Sequence, residues 1–194
     1  MAQADTQAEL AGQILDAAKA HQALLFGEFK LSAGGTSQYY FDGRLLTLSP
    51  DGAELVARAL LPAVREAGAD AIGGPTLGAD PMVTAVALLS NQDGGAAVPG
   101  FIVRKESKDH GMGRLIEGPL KPHSRVAIVD DACSTAASLY HAIRAAEADG
   151  HTVVLVACIL DRHQGGGERL AADGYPFLAI LEGDTEGNVT PVLR

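Results

Sequence analysis

The stretch from Thr152 to Leu160, Thr-Val-Val-Leu-Val-Ala-Cys-Ile-Leu, most narrows the folds open to this chain. A strand with one wet face alternates apolar and polar side chains, whereas a strand covered on both faces reads as an unbroken apolar run. Double coverage calls for a parallel sheet, because parallel strands are joined by helical crossovers that pack on its faces. The rest of the chain agrees with that demand. Phe101–Val103, Val126–Val129 and Phe177–Leu181 are further strand candidates. Leu10, Ala11, Ile14, Leu15 and Ala18 lie at helical spacing within residues 7–20. Ser49-Pro50-Asp51 combines an N-cap with a proline in the first turn, and Pro62 is expected to kink or end the helix that follows. Residues 80–90 and 138–149 read as two more helices, the second stopped by Gly150. Ala71-Ile72 leads into what reads as a Gly-Gly-Pro loop. The expectation is an α/β fold with a mainly parallel central sheet flanked by helices, and 194 residues suit a single domain.

Composition removes several function classes. Hydrophobic residues make up 47% and charged residues 20%, which is ordinary globular usage and fits neither disorder nor a fibre. A net charge of −9 argues against a general nucleic-acid surface. Cys133 and Cys158 make no disulfide framework, and no Cys/His spacing suggests structural zinc. The N-terminal residues lack the basic-then-apolar pattern of a signal peptide, and no apolar run reaches the ~18 residues needed to span a bilayer. A soluble, cytoplasmic protein without membrane partners is expected.

In such sheets ligands sit beyond the carboxyl ends of strands. The segment Val126-Ala-Ile-Val-Asp130-Asp131-Ala132-Cys133-Ser134-Thr135-Ala136-Ala137-Ser138 is a strand, two acids, a run of small and hydroxylated residues, and a helix start. Small side chains let backbone N–H groups approach a phosphate, the helix N-terminus adds partial positive charge, and Ser134, Thr135 and Ser138 can donate hydroxyl hydrogens. Adjacent carboxylates suit a vicinal diol. Together these features describe a cradle for a ribose 5-phosphate. The plainer alternative has the acids merely ending the strand and Ser138 capping the helix. Neither a G-x-x-x-x-G-K-[ST] loop nor a strand-linked G-x-G-x-x-G is present.

Arg104-Lys105-Glu-Ser-Lys108-Asp-His110-Gly-Met-Gly-Arg114 concentrates basic residues within an acidic chain, and its glycines favour a loop. Cations carried over a departing diphosphate stabilise the charge that develops there. Charge runs are also commonly no more than solvated surface.

The Asp-Asp and small-residue segment resembles the phosphoribosyl pyrophosphate (PRPP) signature of type I phosphoribosyltransferases. The R-K-x-x-K-x-H-G pattern is similar to the catalytic loop of the orotate phosphoribosyltransferases. The resemblance implies a type I phosphoribosyltransferase fold with a small N-terminal hood, residues 1–48 or so contributing the hood and base pocket. It implies that Arg104, Lys105, Lys108 and His110 bind PRPP together with residues 130–138, Ala132, Cys133, Ala136 and Ala137 included. Lys108, His110, Asp130 and Asp131 would be catalytic, with Lys108 foremost. Arg162, which follows the Thr152–Leu160 strand, would take the orotate carboxylate through paired hydrogen bonds, assisted by Ser134. Phe26–Gly34 and Tyr39–Asp42 resemble the family's N-terminal segment, where aromatics form a wall for a flat base; they can equally be hydrophobic core, and for Phe26 and Phe29 core is the preferred expectation. The segment Gly73–Pro81 matches a loop whose backbone lies near the diphosphate.

Further implications are a homodimer with shared active sites, and Mg²⁺ bound mainly through PRPP and pyrophosphate oxygens with no dedicated protein ligands. Alanines stand at 136 and 137 where relatives usually carry glycine, and their methyl groups are expected to narrow the phosphate pocket or forbid a positive φ there. Two rival readings remain open: a phosphoribosyltransferase for another base, and a non-catalytic PRPP-binding regulator.

Overall fold

The computed structural model describes residues 6–30, 36–106 and 115–193. Lys108 and His110 lie outside these described residues. The chain opens with α1 (Gln7–Ala20), whose N-terminus is closed by a reciprocal cap: Thr6 accepts from the Glu9 N–H and the Glu9 carboxylate accepts from the Thr6 N–H. A hairpin follows, β1 (Leu24–Lys30) against β2 (Thr36–Phe41), antiparallel and separate from the main sheet. Then come α2 (Gly43–Thr47), α3 (Pro50–Glu66), β3 (Ala71–Pro75), α4 (Asp80–Gln92), β4 (Gly100–Val103) and β5 (Ile116–Glu117). The second half comprises β6 (Arg125–Cys133), α5 (Ala137–Ala148), β7 (Thr152–Asp161), α6 (Gly166–Ala172), β8 (Phe177–Gly183) and β9 (Val189–Pro191).

Seven strands form the central sheet in the order β5-β4-β3-β6-β7-β8-β9. The five inner strands are parallel, and the short edge strands β5 and β9 run antiparallel to their neighbours. Double coverage of the inner strands is visible residue by residue. Ala127, Val129, Leu155, Ala157 and Ile159 face a core shared with α1, α3 and α4, while Val126, Ile128, Val156 and Cys158 face a second core shared with α5. This is the arrangement that the unbroken apolar run of β7 demanded.

Three local expectations need correcting. Gly73-Gly74-Pro75 is no loop but the buried end of β3, paired with β4 throughout and with β6 at Gly73. Glycine is required there by packing: a Cβ at Gly73 would lie 2.5 Å from the Phe101 ring, and one at Gly74 would land on the Val129 carbonyl oxygen. Pro62 does not end its helix, which runs on to Glu66. The ring sits on an exposed face, where water can satisfy the carbonyl that the missing N–H leaves. Finally, β6 extends through Asp130 and Asp131 to Cys133, because β7 continues beside it: Asp130 pairs with Cys158 and Cys133 with Asp161. The two acids therefore belong to the strand and not to the loop after it.

Strand order reverses between β3 and β6, since the chain builds outward from β3 to β4 and β5, then returns to lay β6, β7 and β8 on the other side. A reversal of this kind opens a crevice at the carboxyl ends of the two strands.

Candidate active site

The crevice holds a cavity of about 310 Å³. Its floor is Asp130 and Asp131 from β6, with Ser138 from the first turn of α5. One wall is Pro75-Thr76-Leu77-Gly78 beyond β3, and the other is Tyr40, Phe41, Asp42 and Arg44 from the hairpin and α2. Lys105, beyond the end of β4, completes the rim.

The acids differ in environment. Asp130 is buried, accepts from the Ser138 hydroxyl at 2.6 Å, and accepts from the Asp131 N–H at 2.9 Å. Burial, then the neighbouring Asp131 charge, push its carboxyl up to about 7, against the opposing pull of those hydrogen bonds. Asp131 is half-buried. Gly78 touches both: a Cβ there would lie 2.5 Å from Asp130 Oδ1 and 2.8 Å from Asp131 Oδ1. The Thr76–Gly78 turn therefore lies flat on the carboxylates, leaving its backbone at the cavity.

A raised carboxyl pKa has a signed consequence for stability. The folded chain holds its proton on Asp130 more tightly than the unfolded chain does, so the contribution is full below the ordinary carboxylate range and disappears as pH climbs through about 7. Asp130→Asn removes that loss. The variant without ligand should melt above the parent at pH 8, and this advantage should shrink to nothing by pH 4; thermal melts at both values check it.

The phosphate-loop expectation meets an instructive geometry at Ala136. This residue adopts φ +60° and ψ 19°, the left-handed conformation that its methyl group was expected to forbid. For a non-glycine residue the conformation costs about 1–2 kcal/mol, and the Ala136 side chain offsets part of it by packing, buried, among Cys133, Leu139 and Leu170. Below the loop lies α6. Gly166 donates its N–H to the Ser134 carbonyl at 2.9 Å, and a Cβ at Gly166 would meet that oxygen at 2.5 Å and Cys133 Sγ at 2.7 Å. The residues after 164, which carry no motif, thus brace the loop. Cys133 and Cys158 are buried free thiols, the first pushed up to about 12 by burial and nearby carboxylates.

The remaining predicted residues are partly gathered. Arg104 donates its N–H to Leu115 at 2.9 Å and faces Glu117 at 3.8 Å, while its carbonyl is held by His141 Nε2 of α5 at 2.8 Å. It therefore anchors the near end of the basic segment. Arg162 leaves β7 toward the hairpin: its guanidinium lies 5.5 Å from the Tyr39 ring centroid, and Nη2 donates to the Phe41 carbonyl at 3.3 Å. Its Nε is buried without a hydrogen-bond partner among the described residues. Arg104, Arg162 and residues 132–137 do not line the 310 Å³ cavity itself. Sequence reading missed Arg44, whose signal was a basic residue two places after the Asp42 that caps α2.

No family model matches the chain. Individual proteins do. Over 154 residues the chain is 42% identical to an orotate phosphoribosyltransferase of Aquifex aeolicus, covering 79% of this chain and 84% of that one. The structure of Mycobacterium tuberculosis H37Rv orotate phosphoribosyltransferase in complex with Fe(III) dicitrate superposes with a TM-score of 0.75 at 34% identity, covering 91% and 95% of the two chains. The same enzyme in complex with 5-phospho-α-D-ribosyl 1-diphosphate gives a TM-score of 0.69 at 29% identity, over 91% and 88%. The fold is thus the type I phosphoribosyltransferase fold that the Asp-Asp segment implied. With paired acids, a loop of small residues and a helix start at one strand end, and with identity of this depth along most of both chains, the protein belongs to the orotate phosphoribosyltransferase family.

Proposed function

We infer that this chain transfers the ribose 5-phosphate of PRPP to orotate, giving orotidine 5′-monophosphate and pyrophosphate, in pyrimidine biosynthesis. The observation carrying the reading is the cavity at the β3/β6 crevice, with two carboxylates on its floor and the N-terminus of α5 beside them. Asp130 and Asp131 accept hydrogen bonds from the ribose hydroxyls and hold the sugar. Backbone N–H groups of residues 134–138 and the first turn of α5 receive the 5-phosphate. The bond from the anomeric carbon to the diphosphate oxygen breaks through an oxocarbenium-like state as the bond to the orotate ring nitrogen forms. Arg104 and Lys105, with Lys108 and His110 from the same segment, meet the diphosphate as its charge grows. Orotate is already an anion near neutral pH, so no strong general base is required.

No group of three or more His, Cys, Asp or Glu side chains among the described residues could hold a metal ion, which fits Mg²⁺ held mainly by PRPP and pyrophosphate oxygens and water. Bound there, the ion would offset diphosphate charge. Residues up to about 48 serve as a hood over the base within a single domain, and the basic segment works across a homodimer. Leu45 and Leu48 of the α2 region, with Phe26 of the hairpin, which is exposed and not in the core as expected, are apolar residues suited to such a contact. No helix among the described residues is long and apolar enough to cross a membrane, and a cytoplasmic setting suits the small anionic substrates.

Purified protein given orotate, PRPP and Mg²⁺ should consume the orotate absorbance. Product from adenine or uracil with none from orotate would overturn the choice of base, and PRPP binding without pyrophosphate release would make the chain a regulator. Arg162→Ala should raise the KM for orotate by about 10–100-fold, the worth of a charge-assisted bond pair, and leave the KM for PRPP nearly unchanged. Steady-state kinetics in both substrates decide this.

A further inference from the structure

Arg44 enters the cavity wall from α2, a helix set directly on the acids. Gly43 makes this possible, since a Cβ there would collide with the Asp131 side chain and lie 2.9 Å from its carboxylate oxygen Oδ2. The guanidinium is held by Asp42 in a fork: Nε donates to Oδ1 at 2.8 Å and Nη2 to Oδ2 at 2.8 Å, while Oδ1 also accepts from the Arg44 backbone N–H at 3.1 Å. The Asp42 carboxyl is held below its ordinary range, first by the Arg44 hydrogen bond, so the fork stays ionised. A guanidinium carries five N–H donors, and this fork uses two. The Nη1 edge makes no protein hydrogen bond among the described residues.

The electrostatic balance of the cavity gives that edge a purpose. Its lining brings three carboxylates, Asp42, Asp130 and Asp131, against two cations, Arg44 and Lys105. Fixed positive charge from the walls, beside any Mg²⁺ carried in with the diphosphate, favours seating a polyanion over such a floor. Lys105 sits at the root of the basic segment, whereas Arg44 is fixed to the body of the domain by a bidentate pair that sets its plane in advance. It lines the same cavity as Thr76–Gly78, the turn whose resemblance implies a backbone near the diphosphate, whereas Arg162 and Tyr39 do not line that cavity.

We propose that Arg44 is a diphosphate-binding residue, a pre-oriented cation that receives the pyrophosphate moiety of PRPP, and pyrophosphate as product, through its Nη1 edge. The assignment rests on the phosphoribosyl-transfer reading of the site, but not on orotate being the base. Asp42 is its positioning residue. Because two of the five donors are already committed, Arg44 adds affinity for the anion while costing little reordering on binding.

The test is calorimetric titration of the full chain with pyrophosphate in Mg²⁺, alongside kinetics in both substrates, for Arg44→Ala, Arg44→Gln and Arg44→Lys. The first two should weaken pyrophosphate binding and raise the KM for PRPP by about 10–100-fold, with the KM for orotate unchanged. Lysine should restore part of the loss, since it keeps the charge without the fork. Unchanged pyrophosphate affinity in a folded Arg44→Gln protein overturns the proposal. So does an equal rise in both KM values, which would make Arg44 a scaffold residue of the whole pocket. Titration needs no turnover, so a parent protein that binds pyrophosphate yet makes no product from orotate would sink the choice of base and leave Arg44 in place.

Discussion

Lys108→Ala is expected to lower kcat by about 10²–10³-fold, the usual consequence of removing one preorganised donor from a developing negative charge. Bond breaking at the anomeric carbon loads charge onto the departing diphosphate, and a cation acts most strongly where water has been excluded. Within the described residues the cavity has few cations of its own, Arg44 and Lys105, and its floor is acidic. The basic segment between β4 and β5 begins at a firmly held point, with the Arg104 N–H bonded to Leu115 and its carbonyl to His141. On the proposed reading, Lys108, three positions beyond Lys105 in the chain, meets the diphosphate as it departs. An interaction made chiefly in the transition state lowers kcat and kcat/KM together and leaves ground-state binding nearly intact. Pre-steady-state and steady-state rates, compared with PRPP affinity measured by titration, separate the two. A Lys108→Ala enzyme that turns over normally would remove this residue from the mechanism.

The largest expected effect on stability falls at a residue that touches no substrate. Gly74→Ala should destabilise the protein by about 3 kcal/mol, near the upper end for overpacking a core, and lower the melting temperature by roughly 10 °C. The added methyl would fall on the Val129 carbonyl oxygen and within 2.6 Å of the Ala79 side chain. Neither can retreat cheaply. Val129 lies in the middle of β6, one residue before Asp130, and Ala79 is buried at the start of α4. Any adjustment must spread β3 from β6 at the crevice itself, so surviving activity should fall with stability. Chemical denaturation of the purified variant gives the free energy, and an unchanged midpoint would contradict the packing argument.

Much of this protein is legible in its residues, for a physical reason that differs by element. The N-cap at Ser49, the stop at Gly150 and the helical spacing of α1 are local signals, written within one or two turns of chain, and the structure has each of them. The double-sided core could be inferred because burial on two faces leaves its mark in one strand's own composition. The Asp-Asp segment could be read as the signature of the type I phosphoribosyltransferase fold because its acids and small residues are contiguous in the chain.

What the chain could not disclose by itself concerns distances between segments far apart in sequence. Gly-Gly-Pro reads as a turn wherever it stands; only the approach of Phe101 on one side and Val129 on the other makes it a strand. Ala136 sits in a left-handed conformation because α6 and the second core hold it there, which no rule about alanine anticipates. Arg44 becomes a cavity residue only when Gly43 lets α2 lie against Asp131, a residue 88 positions later in the chain (131 − 43 = 88). Sequence determined most of the elements and the small, hydroxylated character of the loop after β6, because those depend on neighbours along the chain. Tertiary structure alone decided which surfaces meet over the acids, because close approach is a property of pairs that the chain order does not contain.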